Sequence, residues 1–267
     1  MKGQFTLGRI TPAAVLILGV LVLWQFLSWL LLKMEVPLAQ SKVPYLHELM
    51  ITFITYSGTL FSEGSVTLTN ALMGFALGAI GGILLAILMS LSKWLEQLAF
   101  PYAVASQMIP ILGLAPIVYG IFRDEQISRV LIAAFMTFFP VALNCLRGLR
   151  SADPQSLELM YSYAAKPWTI YWRLRFPQSL PSLFSGLKIA APLAVTGAIL
   201  VELMGATKGL GVIMLRNLYY GPSHNYMFWL TVIFGALLGI LSYLAVSLIE
   251  RLVTPWQPEF RKTGGDE

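Results

Sequence analysis

Residues 158–181 read ELMYSYAAKPWTIYWRLRFPQSLP, a cationic, tryptophan-bearing, proline-punctuated stretch in a chain that elsewhere avoids charge for twenty residues at a time. Just upstream, Asp153 is placed to cap a helix through its carboxylate while Pro154 takes the first turn, where no amide donor is needed. Leu157, Met160, Tyr161 and Ala164 follow at the i, i+3, i+4, i+7 spacing and form one apolar stripe, with Glu158 and Ser162 pointing elsewhere. Ala164-Ala165-Lys166-Pro167 breaks the pattern: a residue before proline avoids helical dihedrals, and Pro167 suits the start of a second helix. Trp168, Tyr171, Trp172 and Arg175 share a face of that helix, Phe176-Pro177 is expected to stop it, and Leu180-Pro181 leads into the next apolar span. Two short helices joined by a tight turn either rest in a lipid interface or fit a groove on a soluble partner.

Working outward, 57% of the 267 residues are hydrophobic and 12% are charged, whereas a soluble domain is about a quarter charged. The apolar runs are long and unbroken, so they read as membrane-spanning helices rather than the short alternating strands of a barrel. Six stand out, at about 11–32, 66–91, 97–122, 129–147, 182–204 and 226–250. The expected fold is all-α, with six transmembrane helices and both termini on one side.

With the termini inside, Lys2, Arg9, Lys93, Arg147, Arg150, Lys166, Arg173, Arg175, Lys188, Arg251, Arg261 and Lys262 fall on the inner side. Lys33, Lys42, Arg123, Arg129, Lys208 and Arg216 fall outside. Twelve against six favours cytoplasmic termini under the positive-inside rule, and it accounts for the net charge of +5 without nucleic acid. The apolar run after MKGQFTLGRI is too long for a cleaved signal and reads as a retained anchor.

Residues 1–63 are expected to form an anchor helix and an outer interfacial segment, 64–250 a core carrying the loop 151–181, and 251–267 an inner tail. Leu46, Met50, Phe53 and Ile54 have the spacing of an interfacial helix. Gly74, Gly78 and Gly82 recur on one helical face, suited to close helix approach within one subunit or across a dimer. The single cysteine, Cys145, excludes an intrachain disulfide and any cysteine-based zinc site, and is expected in packing.

DPQSLELMYSYAAKPWTIYWRLRFPQSLPSLFSGLKIA at 153–190 resembles the EAA loop of permease subunits of bacterial ABC importers. Asp153, Pro154, Leu157 and Glu158 match its lead-in, Trp168 its aromatic, Phe176-Pro177 and Leu180-Pro181 its end, and Gly186, Leu187 and Ile189 the following helix. SQMIPILGLAPIV at 106–118, FFPVALNCLRGLRSADP at 138–154 and VELMGATKGLGVIM at 201–214 resemble further family segments, so the likeness covers 64–250 in order. The EAA triplet itself stands here as Glu158-Leu159-Met160, and Ala164 takes the place of the usual glycine. If that position has positive φ, alanine costs about 1 kcal/mol relative to glycine.

The resemblance implies a type I ABC importer permease fold in the bacterial inner membrane, whose cytoplasmic loop is a coupling helix docked on an ATP-binding subunit. Asp153, Leu157, Glu158, Met160, Tyr161, Ala164, Ala165, Pro167 and Trp168 would carry that contact. The implied partners are two ATPase copies, which bind ATP and Mg, a second permease copy, most simply in a homodimer, and an external solute-binding protein. The branch resembled handles nitrate, sulfonate, taurine and the pyrimidine precursor of thiamine, and SQMIPILGLAP is similar to the last group.

The chain has no G-x-x-x-x-G-K-[ST] phosphate loop, so no ATP hydrolysis is assigned to it. His47 and His224 are placed in outer loops, and no metal-ligand cluster or catalytic constellation is expected. Polar residues at membrane depth are costly, which makes Gln107, Asn144, Thr196 and Glu202 candidates for a translocation path; hydrogen bonds between helices, or a cap on the Gly209-Leu210-Gly211 turn in the case of Glu202, are the competing explanation. Tyr119, Phe122, Phe138 and Phe139 would pack in the core or stack on a solute. A membrane scaffold recruiting a soluble partner through 151–181 is the alternative that the residues alone leave open.

Overall fold

A computed structural model of the chain describes residues 4–219 and 225–257. Its regular structure among these residues is entirely helical: α1 (Gln4–Lys33), α2 (Ala39–Lys42), α3 (Leu46–Leu91), α4 (Lys93–Ser106), α5 (Ile111–Phe122), α6 (Glu125–Arg150), α7 (Pro154–Ser162), α8 (Pro167–Ile170), α9 (Phe176–Glu202), α10 (Leu210–Tyr219) and α11 (Asn225–Val253). Five stretches among the described residues are long and apolar enough to cross a bilayer, and α4 with α5 makes a sixth if that bent pair is one span.

Three expectations are corrected. The 97–122 run is no single helix: α4 and α5 meet at a 101° bend. Ile109 precedes a proline, Pro110 has ψ 111, and between them Gln107, Met108 and Ile109 close only i→i−3 bonds. The expected outer helix with Leu46, Met50, Phe53 and Ile54 is the first part of α3, set off from the span after it by a kink at Tyr56 (φ −112, ψ 15) rather than by a loop. His47 consequently lies in the first turn of α3, and His224 falls outside the described residues. Finally, Phe176-Pro177 does not stop the second loop helix. Tyr171–Arg175 forms a π turn in which Phe176 N–H reaches Tyr171 O, five residues back, so the missing Pro177 donor is absorbed and helix continues from Pro167 to Glu202.

The chain divides into two compact units. The first comprises Met1–Phe61 and Ile213–Ile233. Here Trp24 packs edge-to-face on Trp229 at 5.3 Å and donates to Pro44 O at 2.8 Å, while Gln25 Oε1 accepts from Leu46 N at 3.1 Å. From Ala14 to Lys33, α1 is otherwise mostly exposed apolar surface, long enough to cross a bilayer.

The second unit, Ser62–Val212 with Phe234–Glu267, holds the main core. Ala86 and Met89 of α3, Val141 and Cys145 of α6, and Leu183 and Ala190 of α9 are buried together. The glycine face of α3 is what brings α6 so close. A Cβ on Gly74 or Gly82 would stand 2.6 Å from Val130 O or 2.5 Å from Phe138 O, and one on Gly78 would stand 2.7 Å from Thr137 Cβ. The stripe is a seam within this chain.

Candidate functional site

The loop between α6 and α9 is rigidly built. Asp153 Oδ2 accepts from Ser156 N at 3.0 Å and from Ser156 Oγ at 2.8 Å, and Pro154 occupies the first turn of α7. These bonds, the Ser156 hydroxyl first, hold the exposed Asp153 carboxyl below its usual pKa. At the other end Ala165 N donates to Met160 O at 3.0 Å and Ala164 N to Tyr161 O at 2.9 Å, the paired bonds of a Schellman turn, with Ala164 at φ +51. The sequence condition for a strained alanine is therefore met. Pro167 then begins α8, as its fixed φ favours.

One face of this element is fastened and the other is free. Tyr171 is buried and its Oη lies 2.8 Å from Ser90 Oγ of α3, in a hydrogen bond. Trp172 packs against Trp168, Tyr171 and Phe176, and Arg150 pairs with Glu96, which ties the end of α6 to α4. No side chain of α7 is buried. Leu159, Tyr161, Tyr163 and Trp168 are 57–76% exposed, an apolar cluster that a monomeric surface seldom leaves uncovered. Of the expected stripe, Leu157 and Met160 turn partly inward while Tyr161 and Ala164 face solvent, as does Glu158 beside it.

A second feature lies where α4 and α5 bend. A cavity of about 530 Å³ is bounded by this bend, α6 and α9, and among its lining residues are Gln107, Phe135, Phe139, Asn144, Arg147 and Leu193. It brings together two of the four path candidates. Asn144 Nδ2 donates to Pro140 O at 2.7 Å, and Phe135 and Phe139 meet edge-to-face at 5.3 Å. Thr196 is not on this wall; its hydroxyl returns to Pro192 O at 3.1 Å. Tyr119, Phe122 and Phe138 are not there either, and Phe138 packs over Gly81 of α3. Phe135 and Arg147 escaped the reading of the sequence, because only the α6 helical spacing, Phe135-Phe139 and Asn144-Arg147, hints at them.

For Glu202 the structure has the competing explanation, a cap on the Gly209-Leu210-Gly211 turn. Glu202 is fully buried away from the cavity, where its carboxylate accepts from Thr67 Oγ1 and from Gly211 N at 2.9 Å. Thr67 Oγ1 accepts from Leu210 N at 3.0 Å, and Glu63 Oε2 from Gly209 N at 2.6 Å. Gly209 has φ +116, and a Cβ there would run into the Glu202 carboxylate. Arg129, taken from the sequence as an outer-side cation, is buried: it bonds Lys208 O at 2.8 Å and Glu125 at 3.0 Å, and lies 3.8 Å from Glu202. Glu125 also accepts from Thr207 N at 2.9 Å. The turn after α9 is thus clamped on α3 and α6 by residues 79 to 146 positions away; of these contacts the sequence offered only the Glu202 cap on the Gly209-Leu210-Gly211 turn and the Glu125-Arg129 i,i+4 spacing.

A multi-helix membrane core, a helical loop with an exposed apolar face and a solvent-open cavity at a bent helix fit a membrane transport permease. The chain belongs to the binding-protein-dependent transport system inner membrane component family, whose pattern matches residues 78–255. It is 35% identical over 239 residues to the formylaminopyrimidine transport permease protein ThiX of Halalkalibacterium halodurans, covering 87% of this chain and 94% of that one. It is 32% identical to the riboflavin transport system permease protein RibX of Chloroflexus aurantiacus, covering 75% and 74%. It is 27% identical to the aliphatic sulfonates permease protein SsuC of Escherichia coli, covering 91% and 90%. A solved amino acid ABC transporter superposes with TM-score 0.62 at 18% identity over 76% of this chain and 97% of that one, a likeness of fold. The protein is an ABC importer permease, and these relatives support that reading rather than the scaffold.

Proposed function

We propose that α7 and α8 form the coupling helix through which a separate ATPase drives this permease. The observation that carries the proposal is the exposed Leu159, Tyr161, Tyr163 and Trp168 cluster on an element whose opposite face is anchored by Tyr171. An apolar helix face on a rigid support suits a groove on a soluble partner. Because helix runs unbroken from Pro167 to Glu202, displacement of the docked end moves the whole of α9. ATP and Mg bind on two ATPase subunits, whose closure favours one of two membrane arrangements; docking transmits that bias. Asp153 and Pro167 hold the ends of the element, Glu158, Leu159, Tyr161, Tyr163 and Trp168 make the contact with the partly buried Leu157 and Met160 behind them, and Ala164 with Ala165 shapes the turn.

A second copy of the chain and an external solute-binding protein complete the transporter. Both termini lie in the cytoplasm, supported by twelve against six basic residues. The solute is a small planar nitrogen heterocycle of the pyrimidine class: formylaminopyrimidine and riboflavin name the relatives at 35% and 32% identity, whereas the SsuC relatives named for sulfonates stand at 26% and 27%.

The test is ATPase activity of the permease assembled with its ATPase and candidate binding proteins loaded with pyrimidines, sulfonates or nitrate. Stimulation by one loaded binding protein is expected, and Glu158→Arg or Ala164→Trp abolishes it while the protein still inserts. An ATPase that never assembles with the chain, or full stimulation in both variants, would overturn the docking.

A further inference from the structure

Three basic side chains among the described residues are withdrawn from solvent: Arg129, Lys188 and Arg175. Arg129 pairs with Glu125 at 3.0 Å and Lys188 with Glu250 at 2.7 Å. Arg175, the last residue of the π turn, is half-buried and has no carboxylate among the described residues. Even Arg150, which is open to water, holds Glu96. A guanidinium drawn partly out of water without a counter-ion carries a desolvation cost, and the anion that offsets it lies beyond the described residues.

Arg175 lines a cavity of about 260 Å³ set between α7, α8, the π turn and the last turn of α3, with Ser90, Leu91, Tyr161, Trp168 and Tyr171 also on its wall. The Tyr171 and Ser90 hydroxyls bond each other at 2.8 Å, which leaves Arg175 as the charged group of the wall. Tyr161 and Trp168 are 61% and 67% exposed and belong to the cluster that docks on the ATPase, so a protein seated there covers the cavity. An aromatic rim that excludes water strengthens a charge pair beneath it. The planar fork of an arginine meets a carboxylate with two hydrogen bonds. The surrounding charges favour a protein over a lipid phosphate as the source of that anion. Asp153 and Glu158 lie at or on α7, Lys166 and Arg173 follow it, and all four are exposed, a polarity that a groove of opposite charges reads in one orientation. Tyr161 stands on α7, which belongs to none of the spans.

We propose that this cavity is a socket for one Asp or Glu side chain of the ATPase, with Arg175 as the residue that pairs with it. The proposal rests on the coupling-helix reading and adds the chemistry of the partner: an apolar groove edged by a carboxylate. The pair joins the partner to the π turn that leads into α9, so displacement enters the membrane helix at Arg175 as well as through the face of α7.

The test is the affinity of the ATPase for the full permease in lipid nanodiscs, measured in zwitterionic lipid and again with an anionic lipid included. Arg175→Gln should weaken binding about tenfold or more in both, Arg175→Lys less, and the exposed Arg173→Gln by under about threefold. Arg175→Glu should bind least, and one Asp→Lys or Glu→Lys change in the ATPase groove should restore it; a fault in the permease's own folding is not repaired from the partner. Wild-type affinity in Arg175→Gln, or failure of every acidic position of the groove to restore Arg175→Glu, overturns the proposal. An effect seen only with anionic lipid gives the cavity to a phosphate headgroup and overturns it too. Glu158→Arg and Ala164→Trp read the coupling separately. If they abolish stimulation while Arg175→Gln binds normally, the socket fails and the coupling helix stands; an ATPase that never assembles with the wild-type permease overturns both.

Discussion

Gly78→Ala measures how tightly α3 and α6 are packed. The new methyl would stand 2.7 Å from Thr137 Cβ, about 0.7 Å short of ordinary contact at 3.4 Å, and would also press on the carbonyl of Ala134. Backbone cannot rotate away, so the two helices have to part by a comparable distance. Loosening a packed interface by 0.5–1 Å forfeits roughly a quarter to a half of each dispersion contact. Overpacking of this kind costs about 1–3 kcal/mol. The matched control is Gly19→Ala on α1, where nothing lies within 4 Å and the change should be neutral or stabilising by up to about 1 kcal/mol. Denaturation in mixed detergent micelles, repeated over a range of protein concentrations, separates the cases. A Gly78→Ala loss that is concentration-independent fits a seam inside one chain. A loss that disappears on dilution, or one no larger than that of Gly19→Ala, would refute the reasoning and return the glycine face to a contact between copies.

Three further outcomes are expected. Ala164→Gly relieves the φ of +51 and should strengthen the end of α7 by about 1 kcal/mol, read as slower hydrogen exchange at the Ala165 amide, which bonds Met160 O. Asp153 has a lowered folded-state pKa, so its cap is fully present above the ordinary carboxylate pKa and is lost as pH falls through the lowered value; a carbon-13 carboxyl titration together with exchange at the Ser156 amide should show both changes in that acid window. Lys188 Nζ lies 2.7 Å from the buried Glu250 carboxylate, and Lys188→Met should cost about 3–5 kcal/mol by leaving that charge unpaired, whereas Lys188→Glu combined with Glu250→Lys should recover part of it; equal stability of Lys188→Met and wild type in micelle denaturation contradicts this.

The loop was the most legible part of the site. Its start at Asp153-Pro154 and its turn at Ala164-Ala165-Lys166-Pro167 follow from local rules about caps and prolines, which act over a few residues and so can be read in order along the chain. The same rules misjudged Phe176-Pro177, because a π turn, opening at the Tyr171 that bonds Ser90 81 residues earlier, offers a proline an alternative to ending the helix. They also called for one span at 97–122 where apolar content is continuous but Pro110 breaks the hydrogen-bond ladder.

By itself the sequence determined that the chain is helical and membrane-embedded and where its apolar runs end to within about a turn, but not that two of them begin as early as Leu46 and Pro167. Hydrophobic runs, prolines and caps impose their effects locally, and a bilayer leaves helices as the answer to long apolar segments. Only the tertiary structure decided what the isolated polar residues do. Gln107 and Asn144 meet at one cavity, whereas Glu202 is enclosed by Thr67, Arg129 and Gly211. An amide and a carboxylate at membrane depth are both costly, the ionised group far more so, until partners are supplied, and those partners lie on helices whose separation along the chain says nothing about their distance in space.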